Sequence, residues 1–241
     1  MDLSAFFSHV DADRAYRSLA LLRLHRAESL VLTGGLAFEL HRQRLGLPSQ
    51  QRSLNDIDFL VSSFDEIPKT LSADLLFRHV HPYDPPGKTL LQCVFPEAAV
   101  RMDIFRAYGS TITRAETLEV AGEMLRMISI EDLTARGARL CMDLAANVPV
   151  PSKHIRDFLQ LLEMADSRNI DTAWQDHRKA SHPASFNWAA DLLRDLIPAR
   201  KDLQIAPGYS QDVHQSCSRC HGTEDFPVAE ADLVRSILGY C

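Results

Sequence analysis

LVLTGGLAFELHRQRLGLPSQQRSLNDIDFLV, residues 30–61, opens on one apolar run and closes on another. Residues 30–33 read as a short buried strand, which Gly34 and Gly35 break. Residues 36–45 follow a helical pattern, with Leu36, Leu40 and Leu45 on or near one face. After a polar loop, Asp56-Ile57-Asp58 opens a second strand. A helix N-terminus offers free backbone N–H groups and the positive end of the helix dipole, and so attracts anions. Glycines there remove Cβ and let backbone approach a phosphate. Side chains two apart on a strand share a face, so Asp56 and Asp58 project together, while Ile57, Phe59 and Val61 turn to the core. Paired carboxylates of this kind suit Mg²⁺, a hard cation that takes oxygen ligands and substrate phosphates. A purely structural account would pair the two acids with a nearby arginine, Arg52 being four residues upstream. Two acids side by side repel each other unless something positive is bound, which favours the metal.

A third acid stands in a comparable setting. In the run 100–105, VRMDIF, alternation puts Arg101, Asp103 and Phe105 on one face and Val100, Met102 and Ile104 on the other. In Gly34, Gly35, Arg52, Asp56, Ile57 and Asp58 the chain resembles the nucleotidyltransferase superfamily, the DNA-polymerase-β-like fold. The resemblance is to its AbiEii-type (abortive infection, type IV toxin) branch, with a strand ending in Gly-Gly, a helix, then Arg-x-x-x-Asp-Ile-Asp. It implies an α+β fold: a small mixed β-sheet core flanked by helices, with a helical C-terminal half. It also implies a metal-dependent transfer of a nucleoside monophosphate from an NTP to an acceptor hydroxyl. Asp56, Asp58 and Asp103 would hold Mg²⁺ or Mn²⁺, with Asp103 also assisting deprotonation of the acceptor. The backbone at Gly34 and Gly35 would cradle the β/γ-phosphates, with Arg52 offsetting charge near them. Acceptors across the superfamily include RNA 3′ ends, protein side chains and small antibiotics. The branch implies a toxin paired with a cognate antitoxin protein.

The likeness continues, with departures. Residues 130–137, IEDLTARG, stand where the family carries Glu-Asp-Leu-x-x-x-Lys, so its lysine position falls on Gly137, with Arg136 and Arg139 nearby. Residues 153–157, KHIRD, echo a basic-Asp-x-x-Asp element, with His154 where the first acid is usual and Lys153 as a remaining phosphate-binding candidate. These departures support the alternative reading, a catalytically lapsed nucleotide- or partner-binding protein of the same fold.

The chain has 241 residues, 46% of them hydrophobic, enough to bury a sizeable core as one large domain or two modest ones. A formal net charge of −6 is not that of a generic nucleic-acid binder. No stretch is long and apolar enough to suggest a membrane span, and the N-terminus has early acids and no signal pattern, so the expected location is cytoplasmic. The five cysteines are unevenly spaced, which argues for free thiols or metal ligands.

In chain order, residues 11–27 predict an amphipathic helix capped by Asp11 or Asp13, and 65–73 a short helix. Strands follow over 75–80, 89–95 and 98–105. A turn-rich segment between the first two makes them antiparallel neighbours. His79 and His81 would share a face there, read as a solvated edge. Residues 117–128 predict two short strands around Gly122, completing a nucleotidyltransferase-like core over 1–128. From Ser129, a capping residue, the chain becomes helical to 146, then again over 152–167, 171–179 and 185–196; residues 129–241 form this second region, which could wall a nucleotide cleft. In its tail His214-Gln-Ser-Cys217-Ser-Arg-Cys220-His221 contains Cys-x-x-Cys-His, the attachment pattern of c-type haem. Such attachment happens outside the cytoplasm. A Zn²⁺ site would use Cys217 and Cys220 with His214, His221 or Cys241, but Cys-x-x-Cys supplies only half of a tetrahedral set. The preferred reading is two cysteines in a polar tail before a last short helix.

Overall fold

The computed structural model describes residues 1–79, 90–166, 169–206, 229 and 231–239. The chain divides into two compact units. The first comprises Met1–Ala107, Ala115–Met127 and the C-terminal segment from Gln211. The second comprises Tyr108–Arg114 and Ile128–Ser210.

The first unit is built on a mixed sheet. Its strands are β1 (Val31–Thr33), β2 (Asp56–Val61), β3 (Leu76–His79), β4 (Leu90–Phe95), β5 (Val100–Arg106), β6 (Glu116–Val120) and β7 (Glu123–Met127). They lie in the order β3-β4-β5-β2-β1-β7-β6. β3 and β4 are antiparallel, as the turn-rich segment predicts, and β5 extends the antiparallel run beside β4. β5 then lies parallel to β2, and β1 is antiparallel to β2 and parallel to β7. β6 and β7 make the hairpin expected around Gly122. Alternation holds where it matters: Ile57, Phe59, Val61, Val100 and Met102 are 0% exposed. This apolar face fixes the register, because a one-residue slip would turn the acids inward.

Helix α1 (His9–Leu24) begins earlier than the sequence suggests. Its cap is Ser8, whose Oγ accepts from the Asp11 backbone N–H at 3.1 Å, so neither Asp11 nor Asp13 caps it. Helix α2 (Gly34–Arg44) follows β1 without a loop. The expected helix over 65–73 is two 3₁₀ turns, Phe64–Glu66 and Lys69–Ala73, separated by Pro68, which lacks the N–H a continuous helix needs.

The second unit is helical: α3 (Ile130–Cys141), α4 (Ser152–Met164), α5 (Ile170–His177) and α6 (Phe186–Ala199), with a two-residue pair of strands, β8 (Val150–Pro151) and β9 (Gln204–Ile205). Ser129 caps α3 as expected, its Oγ accepting from the Asp132 N–H. Its core gathers Ala135, Ala138, Phe158, Trp174, Ala189 and Leu193, each 0% exposed. Small residues on α3 and α6 leave room for the large rings of Phe158 and Trp174. The last helix, α7 (Ala231–Leu238), belongs to the sheet unit. Among the described residues no helix is long and apolar enough to cross a membrane.

Candidate functional site

The parallel pairing of β2 with β5 sets Asp58 directly opposite Asp103 and Asp56 opposite Arg101. Three carboxylates on neighbouring strands thus share one face of the sheet. The antiparallel pairing of β4 places Gln92 on the other side of Asp103, and its Nε2 donates to Asp103 Oδ1 at 2.8 Å. Gln92 and Asp103 are each 7% exposed. Gln92 escaped the sequence reading, although a lone polar residue inside the apolar run LLQCVF was a signal for it.

Gly34 touches the same place. Thr33 at the end of β1 pairs with Asp58, and α2 starts at the next residue. Gly34 has φ +68°, and a Cβ built on it would lie 1.8 Å from Asp58 Oδ2. The glycine therefore provides both a left-handed backbone and the space the Asp58 carboxylate occupies. Replacing it with alanine is expected to cost about 2 kcal/mol or more, from the left-handed conformation and the overlap together. Urea unfolding of Gly34→Ala measures this; an unchanged midpoint would mean that Asp58 does not hold its place there.

The cluster already holds a cation of its own. Arg101 Nη2 hydrogen-bonds Asp56 Oδ2 and lies 3.3 Å from Asp103 Oδ2. As the side chains stand, with Arg101 between Asp56 and Asp103, no group of three or more His, Cys, Asp or Glu among the described residues is placed to hold a metal ion. The donor set nevertheless fits a hard divalent ion: carboxylate oxygens on a rigid sheet, beside a helix N-terminus.

Arg52 is engaged elsewhere. Its Nε donates to Oε1 of Glu39 on α2 at 2.5 Å, and its guanidinium sits over the Phe38 ring, 4.8 Å from the centroid. Glu39 is 0% exposed and needs a cation to be buried at all. Arg52 thus pins α2 to the loop before β2. Lys153 lies in the first turn of α4, in the helical unit. Gly137, at the family's lysine position, faces α4: its Cβ position would be 3.4 Å from Phe158 Cδ2 and 3.8 Å from Leu161 Cδ1, ordinary packing contacts. His81, His214, Cys217, Cys220, His221 and Cys241 lie outside the described residues. Within them Cys93 and Cys141 are buried free thiols, and burial pushes Cys141 up to about 12, so it stays protonated at neutral pH.

The helical unit contains a buried polar cluster that sequence reading missed. Asp132 is 0% exposed and accepts from Arg114 Nε at 2.8 Å, Arg114 Nη2 at 2.7 Å, Ser129 Oγ at 2.7 Å and Thr111 Oγ1 at 3.2 Å. His177 Nε2 lies 3.0 Å from Asp132 Oδ1. Arg114 also reaches Asp176 at 2.7 Å, and Asp176 in turn accepts from the Ser110 N–H. Burial opposes ionisation of Asp132, but hydrogen bonds from Arg114, His177 and Ser129 outweigh it and hold the carboxyl well below the usual range. For His177 the balance falls the other way. Burial lowers its pKa, Asp132 raises it, and Arg136 and Arg139 add to the lowering. The ring is thus held neutral, with Nε2 donating and Nδ1 buried without a hydrogen-bond partner among the described residues. Because the folded pKa lies below the unfolded one, the unfolded chain takes up the proton first. The His177 contribution to stability is complete above about pH 6.5 and is lost as pH falls from there toward the folded pKa. The urea midpoint should therefore drop between about pH 7 and pH 5, and His177→Gln, which keeps a donor near Nε2, should flatten that drop. An identical slope in the variant would remove His177 as the cause.

No protein-family model matches the chain, and no curated protein matches it. Among solved structures it is similar to ANT(2″)-Ia in complex with adenylyl-2″-tobramycin: 18% identity, 67% of this chain and 92% of that one covered, TM-score 0.42. It is also similar to an antigenic nucleotidyltransferase-like protein from Paracoccidioides brasiliensis (14% identity, 80% and 94% covered, TM-score 0.44). A third is JHP933 from Helicobacter pylori (13% identity, 97% and 95% covered, TM-score 0.42). At such identities and scores the chemistry of the site has to be read from its own residues.

Proposed function

We propose that the protein is a nucleotidyltransferase, moving a nucleoside monophosphate from an NTP to an acceptor hydroxyl. The observation that carries this reading is the register that sets Asp58 beside Asp103 at the start of α2, with Asp56 on the same face. A charged, phosphate-rich substrate needs both features at once: backbone N–H groups for its oxygens and carboxylates for the accompanying cation. Asp56, Asp58 and Asp103 would hold Mg²⁺ or Mn²⁺. When bound, the ion neutralises phosphate charge and favours in-line displacement. The backbone at Gly34 and Gly35 would hold the terminal phosphates. Asp103, positioned by Gln92, would accept the proton of the acceptor hydroxyl as its oxygen bonds to the α-phosphorus. The bond from that phosphorus to pyrophosphate breaks, and pyrophosphate leaves.

The finer reading follows from the AbiEii-type resemblance: a toxin held in check by an antitoxin, its acceptor an RNA 3′ end, a protein or a small molecule. The test is incubation with each α-³²P-labelled NTP and Mg²⁺ or Mn²⁺, against total RNA, a protein extract and a panel of aminoglycosides, beside Asp58→Asn. Label in one acceptor class, absent from the variant, supports the transferase and identifies the class. A second reading, a lapsed nucleotide-binding protein, is favoured by Gly137 packing on Phe158 where a phosphate-binding lysine would stand. It predicts metal-dependent NTP binding with no transfer.

A further inference from the structure

Asp103 Oδ1 receives Gln92, and Asp103 Oδ2 faces Arg101 Nη2 at 3.3 Å. The same Nη2 hydrogen-bonds Asp56 Oδ2. One terminal nitrogen therefore spans two carboxylates from two different strands, brought together by the β2–β5 register. An arginine serving only as a structural ion pair typically uses its planar fork on one carboxylate. Here the side chains of Arg101 and Asp103 are 11% and 10% exposed, so water does little to screen the acids from one another. A positive charge is required between them, and the chain supplies it from β5 itself.

We propose that Arg101 is an internal cation that holds Asp56 and Asp103 in place of a divalent ion and is exchanged for that ion when the site loads. The inference rests on the nucleotidyltransferase reading of the carboxylate site and deepens it. Arg101 is a positioning residue: it keeps two strands' carboxylates aligned before substrate arrives. It is also a competitor, because the carboxylates it holds, Asp56 and Asp103, are two of the three that would hold the ion. Loading then amounts to replacing one positive charge with two, which suits a site that should close on the ion only when an NTP brings further negative charge. Apparent metal affinity without nucleotide is kept low, and nucleotide raises it.

The test is Mn²⁺ binding to the full chain, followed through the paramagnetic resonance signal of the free ion, for wild type, Arg101→Gln and Arg101→Lys. Removing the competing charge should tighten Mn²⁺ binding by about tenfold or more in Arg101→Gln, while Arg101→Lys stays near wild type. Metal-free Arg101→Gln should melt below wild type, and Mn²⁺ should recover most of that difference. An ordinary structural ion pair would lower the melting temperature equally with and without Mn²⁺. Equal or weaker Mn²⁺ binding by Arg101→Gln overturns the exchange while leaving the metal site standing. If no variant binds Mn²⁺, and adding NTP does not change this, the reading of the site fails and the exchange with it. An Arg101→Gln chain that folds only when Mn²⁺ is present is the expected result in stronger form; one that fails to fold even then counts against it.

Discussion

Asp58→Asn is expected to reduce nucleotidyl transfer about a thousandfold or more at saturating NTP, with the chain still folded. The substitution keeps the shape that the space beside Gly34 admits, and removes one negative charge from the face that Asp56 and Asp103 share. A thousandfold corresponds to about 4 kcal/mol of transition-state stabilisation, the scale attached to a preorganised group facing developing charge. Substitution at Asp58 leaves in place the Asp56 ion pair with Arg101 and the hydrogen bond from Gln92 to Asp103. Single-turnover rates at saturating NTP separate lost chemistry from lost binding. The urea midpoint should stay within about 1 kcal/mol of wild type, since removing one of several like charges takes away repulsion as well as contacts. A variant that transfers at the wild-type rate would remove Asp58 from the chemistry, and the lapsed-binder reading would take its place.

The faces of the strands were legible because β2 and β5 obey a period of two. Once Ile57, Phe59 and Val61 were turned to the core, Asp56 and Asp58 had to point the other way. That the strand of Asp103 would join β2 was legible only through the family resemblance, and its register was not: β5 is not the neighbour of β2 in sequence, and only the parallel pairing brings Asp103 opposite Asp58. Ion pairing is equally beyond sequence proximity. A purely structural account would pair Arg52 with Asp56, four residues away, whereas the fold returns α2 to the loop and sets Arg52 on Glu39, 13 residues away. The cation that does meet Asp56 is Arg101, 45 residues on. Asp132 stands in the first turn of α3, where sequence alone offers only the account of an acid near a helix start. That account is local and says nothing of His177, which lies 45 residues later and shares its carboxylate. Capping went astray by a smaller margin, since Ser8 and Asp11 both suit a helix start and only chain direction into α1 selects the serine.

Asp132→Ala should destabilise the helical unit by about 3–5 kcal/mol, the largest stability effect expected anywhere in the described chain. The carboxylate is 0% exposed and accepts from Arg114, Ser129, Thr111 and His177, three of them buried with it. Removing it takes the acceptor from Ser129 and His177 in a place water does not readily reach, while Thr111 keeps the Tyr108 carbonyl at 2.7 Å. Arg114 is also a partial exception. Its side chain is 23% exposed and keeps Asp176 at 2.7 Å, which moves the expectation toward the lower end of the range. Both tryptophans of the chain, Trp174 and Trp188, belong to this unit, so intrinsic fluorescence in urea reports on it directly. Asp132→Asn separates charge from shape. It keeps one acceptor oxygen, for either the Ser129 side or the Thr111 and His177 side, loses the ionic bond to Arg114, and should fall between wild type and alanine. If alanine and wild type unfold at the same urea concentration, the cluster is not what holds Thr111, Arg114 and His177 together. If both variants lose the same stability, the charge on Asp132 is the whole of its contribution, and the pH dependence assigned to His177 should change with it, because the ring would no longer face an anion.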